Sequence, residues 1–583
     1  MFLRRTFIGL IVFVFGARMA AAQSLTDQIP QGTKLALQIR GLDQAQGRLV
    51  AMANAMGEGL GDAAAAAVDG LKQQILQGRE LRGVAKDGRI IVALSDFPTG
   101  PEALEAILLI VETSDYQALR DSLGGKSGDP DVKVEQNPAG FDMVTRGTDT
   151  FCFIKRGKFT LICEHAENAA KLAKEKTTKP LKVSRRIATS FEKGDVGVFV
   201  DMAAVNSEFG DAIQGFHEQF GGMFEGIAAA QPGLDPEAAK AQMEAMKKIF
   251  DGMFTFVEEL QAVTLSGTFE KTGLGLSLVA EVKSDGSTAK FLSGLKPAAN
   301  PLLAQMPEGH LMYFGFSGSP EIYKSLAGFG MSFMPQGGVQ AKTFEKQMAD
   351  LTAAGPRAMA GAIRFGKGIN GVTMSSYDKP AAALEATIAG VNATVDAKVP
   401  GIKDVKVERN AAEHRGVKLT RVSMKFDLEG LASQPGAEFA LAPLKAFIGE
   451  EIVQWIGVTD KGVLQVIDPD IVAVRAAIDQ LLDGKRTIGK DEAFAEALKH
   501  LPAENTLVAF MDLPALVSAV FQQIGGAVEG LPAAAAPGKP TYFGLAFVGQ
   551  KNEVEVAIWF PSAVVAQFMQ MFQGLGGEIP NQH

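Results

Sequence analysis

Six histidines and two cysteines are the side chains best suited by type to serve as bases, nucleophiles or metal ligands. The histidines stand at 165, 217, 310, 414, 500 and 583. No two of them have the i, i+4 or mixed Cys/His spacing that binds zinc, so each reads as a surface or core residue. Gly125-Lys126-Ser127 has the ending of a phosphate loop, but Arg120 stands where that loop needs glycine. Gly273-Leu274-Gly275 lacks the third glycine of a dinucleotide fingerprint. Gly315-Phe316-Ser317-Gly318-Ser319 is not a nucleophile elbow, which needs glycine two residues after the serine. Asp468-Pro469-Asp470 brings two carboxylates to a turn, too few oxygens for a calcium loop, and reads as a helix cap. These patterns assign no catalytic, cofactor-binding or metal-binding residue. They leave only dispersed residues to support a hydrolase.

Cys152 and Cys163 flank the turn signal Lys155-Arg156-Gly157-Lys158 between two alternating apolar runs. A loop centred between Gly157 and Lys158 sets the two cysteines opposite each other. An oxidising compartment would permit a disulfide there, contributing about 3 kcal/mol by loop closure. The alternative is a pair of buried, reduced thiols acting as small hydrophobes. The C-x-x-C spacing of a redox-active pair is missing.

Compartment is read from the first 22 residues. Arg4 and Arg5 precede an apolar run from Phe7 to Phe15, and Ala20-Ala21-Ala22 offers a cleavage site before Gln23. This is a signal peptide over 1–22, addressing the chain to the periplasm or the exterior. The general secretory and twin-arginine routes both fit. No cysteine near the cleavage site suggests a lipid anchor, and no later stretch is apolar enough for a transmembrane helix. Removing Arg4, Arg5 and Arg18 takes the formal charge from −9 to −12, with 54 basic against 66 acidic residues. A chain this acidic repels phosphate backbones, so nucleic acid is not an expected partner.

Apolar residues at helical spacing mark the segments that must position any site. Phe209, Ile213, Phe216, Phe220, Phe224 and Ile227 form one stripe. Met243, Met246, Ile249, Phe250, Met253, Phe254 and Val257 form a second. Further stripes run over 517–528 and 564–575. Their ordinary reading is helix packing on a sheet. Their functional reading is an apolar groove built on Phe216, Phe220, Phe224, Phe250 and Phe254, for lipid or another apolar ligand. Asp211, Glu218 and Glu225 on the first helix argue against a membrane-surface helix, which usually carries lysine and arginine.

The strongest pattern is internal. Asp131–Ala139 recurs as Asp404–Ala412 with seven of nine positions identical. Five looser correspondences follow in the same order: the Pro30 and Pro307 turns with their strands, 111–119 with 373–384, 151–163 with 453–467, 195–201 with 505–512, and 263–282 with 543–559. The expected fold is α+β, in two tandem homologous halves over 23–298 and 299–583, each an antiparallel sheet packed against amphipathic helices. Gln454 and Ile467 take the places of the two cysteines in the second half.

A Pro-containing turn and strand after the leader, Pro30 to Ile39, is repeated at Pro307 to Phe316. In this the chain resembles exported bacterial proteins with a duplicated domain of unknown function. That resemblance carries no site residues with it. The expected function is that of a non-enzymatic envelope or extracellular protein, a binding or scaffold module without a cofactor and with an unknown partner. The alternative is a periplasmic carrier of lipid or another apolar ligand.

Overall fold

The computed structural model describes residues 26–76, 81–97, 107–126, 128–174, 181–229, 236–317, 319–320, 322, 339–366, 368–396, 402–428, 449–525 and 538–573. The expected leader over 1–22, His583 and most of the loop at 531–540 therefore lie outside the described residues, as do the ends of the last two stripes. The fold is α+β, with fourteen α-helices among the described residues and strands that pair antiparallel throughout. Two compact units are present, Met1–Gln44 with Lys72–Asp201, and Ala45–Leu71 with Met202–His583. No helix among the described residues is long and apolar enough to cross a membrane.

In the smaller unit the strands are β1 (Leu35–Arg40), β2 (Arg89–Leu94), β3 (Ile107–Glu112), β4 (Val132–Asn137), β5 (Phe141–Arg146), β6 (Asp149–Arg156), β7 (Phe159–Cys163) and β8 (Val196–Asp201). Their pairings run β8-β1-β2-β3-β7-β6-β5-β4. Helices α1 (Leu42–Met56) and α2 (Leu60–Leu76) follow β1, and residues 45–71 within them belong to the larger unit. Helix α3 (Tyr116–Gly124) starts where the Asp115 carboxylate accepts the Ala118 amide at 3.1 Å. Helices α4 (Ala166–Lys174) and α5 (Arg185–Lys193) follow β7, and Ser184 caps the second of them. The core gathers around Leu119, Val144 and Phe153.

The larger unit begins with two long helices, α6 (Met202–Ala229) and α7 (Pro236–Glu259). Strands β9 (Leu260–Glu270) and β10 (Gly273–Val282) and helix α8 (Ser287–Gly294) come next. Then come β11 (Met312–Ser317), α9 (Val339–Ala353), β12 (Pro356–Gly366), β13 (Gly368–Tyr377), α10 (Pro380–Asp396), β14 (Ile402–His414) and β15 (Val417–Phe426). After these follow β16 (Glu451–Thr459), β17 (Gly462–Ile467), α11 (Ile471–Asp483), α12 (Glu492–Lys499), β18 (Leu507–Asp512) and α13 (Leu513–Gly525). The last elements are β19 (Tyr542–Gln550), β20 (Glu553–Pro561) and α14 (Ser562–Gln573). Pairings run β9-β10-β20-β19-β18-β11-β12-β13-β17-β16-β15-β14. Asp470 caps α11 by accepting the Val472 amide at 2.9 Å, so the Asp468-Pro469-Asp470 turn is the helix start that its spacing suggests. The main core packs Tyr313, Phe494, Phe510 and Trp559 with small residues of β12, among them Ala360 and Ala362.

Candidate functional site

The sheet of β9, β10, β20 and β19 carries an apolar face that its helices cover only in part. Alternation puts every second side chain on one face. Register therefore lines up Leu265, Leu278, Val556 and Phe547 across the four strands, with Val263, Ala280 and Val554 in the next row. Gly549 completes that row for a steric reason: a Cβ there would come within 2.6 Å of Leu295 and 2.9 Å of Leu292. Helix α8 can thus lie close to the sheet, with Ala289, Leu292 and Leu295 buried.

Between α7, α8 and this face lies a groove of about 620 Å³. Its floor is Leu278, Phe547, Val554 and Val556. One wall is Gly252, Thr255 and Phe256 of α7, and the other is Ser287, Thr288, Phe291 and Leu292 of α8. None of the eleven lining residues is charged. Phe291 is 45% exposed and Leu278 37%, so the lip presents apolar surface to water. The volume is in the range of small-molecule sites, roughly 300–1,000 Å³.

Two polar devices hold the walls. Asn206 of α6 donates to the carbonyls of Val257 at 3.0 Å and Glu258 at 3.2 Å, fastening the end of α7. The Glu259 carboxylate receives the Ser287 amide at 2.7 Å, the Ser287 hydroxyl at 2.9 Å and the Thr288 amide at 2.8 Å. It therefore caps α8 from another helix. Partial burial pushes this carboxyl upward, but the hydrogen bonds from Thr288 and Ser287 outweigh it and hold the pKa at about 2. A carboxyl held below its ordinary 4.5 stabilises the fold fully above that pH and loses this stabilisation as pH falls through about 2. Glu259→Ala is expected to cost about 1 kcal/mol at pH 7, the worth of an exposed cap. Denaturant titrations at pH 7 and pH 2 should show the variant and the parent converging at the lower pH. An unchanged gap between them would show that the carboxylate is not the capping group.

The phenylalanines singled out by their spacing occupy the opposite side of α7. Phe216 and Phe220 of α6 meet Phe254 and Phe250 of α7, with ring centroids 6.2 Å apart for Phe216–Phe254 and 5.1 Å for Phe220–Phe250. The side chain of Phe224 is outside the described residues. These rings zip the two helices together and do not line the groove. Phe256, Phe291, Leu278 and Val556 carry it instead. The missed signal is the alternation Leu274-Gly275-Leu276-Ser277-Leu278 against Val554-Glu555-Val556, two one-sided apolar strands far apart in sequence.

Four of the histidines have partners away from the groove. His217 pairs with Asp251 at 2.9 Å, His414 with Asp479 at 2.9 Å, and the ring of His310 contacts the Pro307 carbonyl at 3.2 Å. His500 lies 3.3 Å from Glu496 and 3.5 Å from Glu270 while stacking on Trp559. Among the described residues no group of three or more His, Cys, Asp and Glu could hold a metal.

The β6–β7 hairpin closes at Gly157-Lys158, with Gly157 at φ +60°, a conformation glycine adopts without strain. Cys152 and Cys163 are directly paired in register, buried and free. Desolvation, then the neighbouring Cys152, pushes the Cys163 thiol up to about 12, and burial also raises Cys152.

No family model and no curated protein matches the chain. Two solved structures do, crystal forms III and IV of TP0453, each at 11% identity. They cover 45% and 43% of this chain and 81% and 80% of their own, with TM-scores of 0.23 and 0.21, superpositions too loose to support an argument.

Proposed function

We propose that the chain is an exported, non-enzymatic binding protein that carries a single apolar ligand in the groove between α7, α8 and the β10–β20–β19 face. The sequence admits both a scaffold module and a carrier, and the uncharged 620 Å³ groove favours the carrier. An alkyl chain laid on Leu278, Val556 and Phe547 removes its methylenes from water at about 0.8 kcal/mol each. Native mass spectrometry of protein purified from its own host should find a co-purified lipid-like adduct. Consistently adduct-free protein, with no uptake of added amphiphile, would sink the reading.

We also infer that the architecture is a tandem duplication. Strands β18-β11-β12-β13-β17-β16-β15-β14 follow one another in the same order as β8-β1-β2-β3-β7-β6-β5-β4. Loop hydrogen bonds agree as well. The Lys34 amide donates to the Leu94 carbonyl at 2.9 Å, as Leu311 does to Ile363 at 2.9 Å. Asp201 donates to Lys34 at 2.8 Å, as Asp512 does to Leu311 at 2.8 Å. Gln454 and Ile467 pair in register at the places of Cys152 and Cys163.

Export bears on the cysteines. In an oxidising compartment the two facing thiols surrender two protons and two electrons to a disulfide-bearing oxidant and become a cross-strand bond. Intact protein from the host, unfolded in alkylating agent without reductant, should then be two hydrogens lighter and unlabelled. Double labelling would mean the thiols stay reduced.

A further inference from the structure

The polar atoms at the rim of the groove restrict which amphiphile it takes. Thr255 donates its hydroxyl proton to the Asp251 carbonyl at 2.8 Å, Ser287 donates its own to Glu259 at 2.9 Å, and the Thr288 side chain also bonds the Glu259 carboxylate. With those protons committed, the three hydroxyl oxygens have only lone pairs left to offer a ligand. The amides of Ser287 and Thr288, the α8 donors that would otherwise receive an anion, are held by Glu259 at 2.7 and 2.8 Å. Among the described residues no lysine, arginine or histidine lines the groove. A headgroup that only accepts hydrogen bonds would therefore meet acceptors and a nearby carboxylate, an arrangement that costs affinity on both counts.

Building on the carrier reading, we propose that the groove selects single-chain amphiphiles whose headgroup donates a hydrogen bond and bears no negative charge, the class of long-chain alcohols and monoacylglycerols, and that it rejects alkyl carboxylates and phosphates. The alkyl chain packs on Phe256, Phe291 and Val556, while the head hydroxyl donates to Thr255 or Ser287 at the rim. Glu259 sets the sign of the selection without touching the chain, and it remains ionised at every pH near neutrality.

The test is calorimetric titration of the full mature protein with dodecanol and with dodecanoate at pH 7.5, both below their aggregation limits. Dodecanol is expected to bind at least about tenfold more tightly, the penalty of one unsatisfied buried polar contact. Glu259→Gln should narrow that ratio. Thr255→Lys, which adds a cation at the rim without removing the cap, should bring dodecanoate to parity or better. Urea unfolding of each variant reports on the fold, and the ratio of the two ligands within each variant reports on the selection. Equal or tighter binding of dodecanoate by the parent, or a ratio unmoved by both variants, would overturn the selectivity while leaving the groove standing. Failure of every alkyl ligand to bind would instead remove the carrier reading, and the selectivity with it.

Discussion

Trp559→Ala is expected to cost about 3–5 kcal/mol of unfolding free energy, the usual loss for truncating a large aromatic in a packed core. Trp559 is 1% exposed and projects from the face of β20 opposite the groove. Its neighbours across the strands are Gly275 and Gly544, and Gly273 lies so close that a Cβ there would come within 2.7 Å of the indole. The three glycines leave the room that the ring fills. The imidazole of His500 completes the stack at 3.5 Å and 9°. Alanine would leave a void beside the glycines and the imidazole, with Leu501 and Phe510 packed against Gly544. Both tryptophans, Trp455 and Trp559, lie in the larger unit, so Trp455 fluorescence remains as a reporter in the variant. Urea titration should show an earlier midpoint with an unchanged slope. A shift worth less than about 1 kcal/mol would mean that the stack is not part of the cooperative core.

Val556→Trp has the larger expected effect on binding. Val556 sits in the floor of the groove between Leu278 and Phe547, and an indole there would occupy the space left for ligand. An uncharged probe such as N-phenyl-1-naphthylamine should bind the parent with enhanced fluorescence. The variant should lose at least about tenfold in affinity, as expected when two or more methylene-sized contacts are displaced. Because Val556 is only half-buried, the indole can fill the groove without overpacking the core on the other face. Thr255→Trp approaches the same space from α7 and guards against misfolding of the first variant. Undiminished probe binding by two folded variants would place the apolar site elsewhere.

Local pattern and chemistry made much of the fold readable. The turn at Gly157-Lys158 sets the β6–β7 register, because a two-residue loop fixes which residues face each other. Thr459 and Gly462 pair across Asp460-Lys461 for the same reason. Asp470 announces its helix as a capping residue. The site was much less legible. Its floor depends on β10 pairing with β20, Leu278 opposite Val556, across more than half of the larger unit's sequence. No local propensity encodes such a partner. The phenylalanine stripes of α6 and α7 were visible as stripes, but spacing alone could not say whether they faced a partner helix or a ligand. Phe216, Phe220, Phe250 and Phe254 face one another. The wall of the groove comes from Gly252, Thr255 and Phe256 on another side of the same helix. Glu259 was invisible as a cap, because it serves a helix that begins 28 residues later.

The central claim is that an alkyl chain lies between α7, α8 and the strands beneath them. The most direct measurement is an anomalous-scattering map from crystals grown with 12-bromododecanol, which locates the bromine independently of any assumed pose. The expected result is one bromine peak inside the groove bounded by Phe256, Phe291 and Val556, absent from Val556→Trp crystals. A peak between α6 and α7 beside Phe216 and Phe220, or no ordered bromine in protein that binds the alcohol in solution, would contradict it.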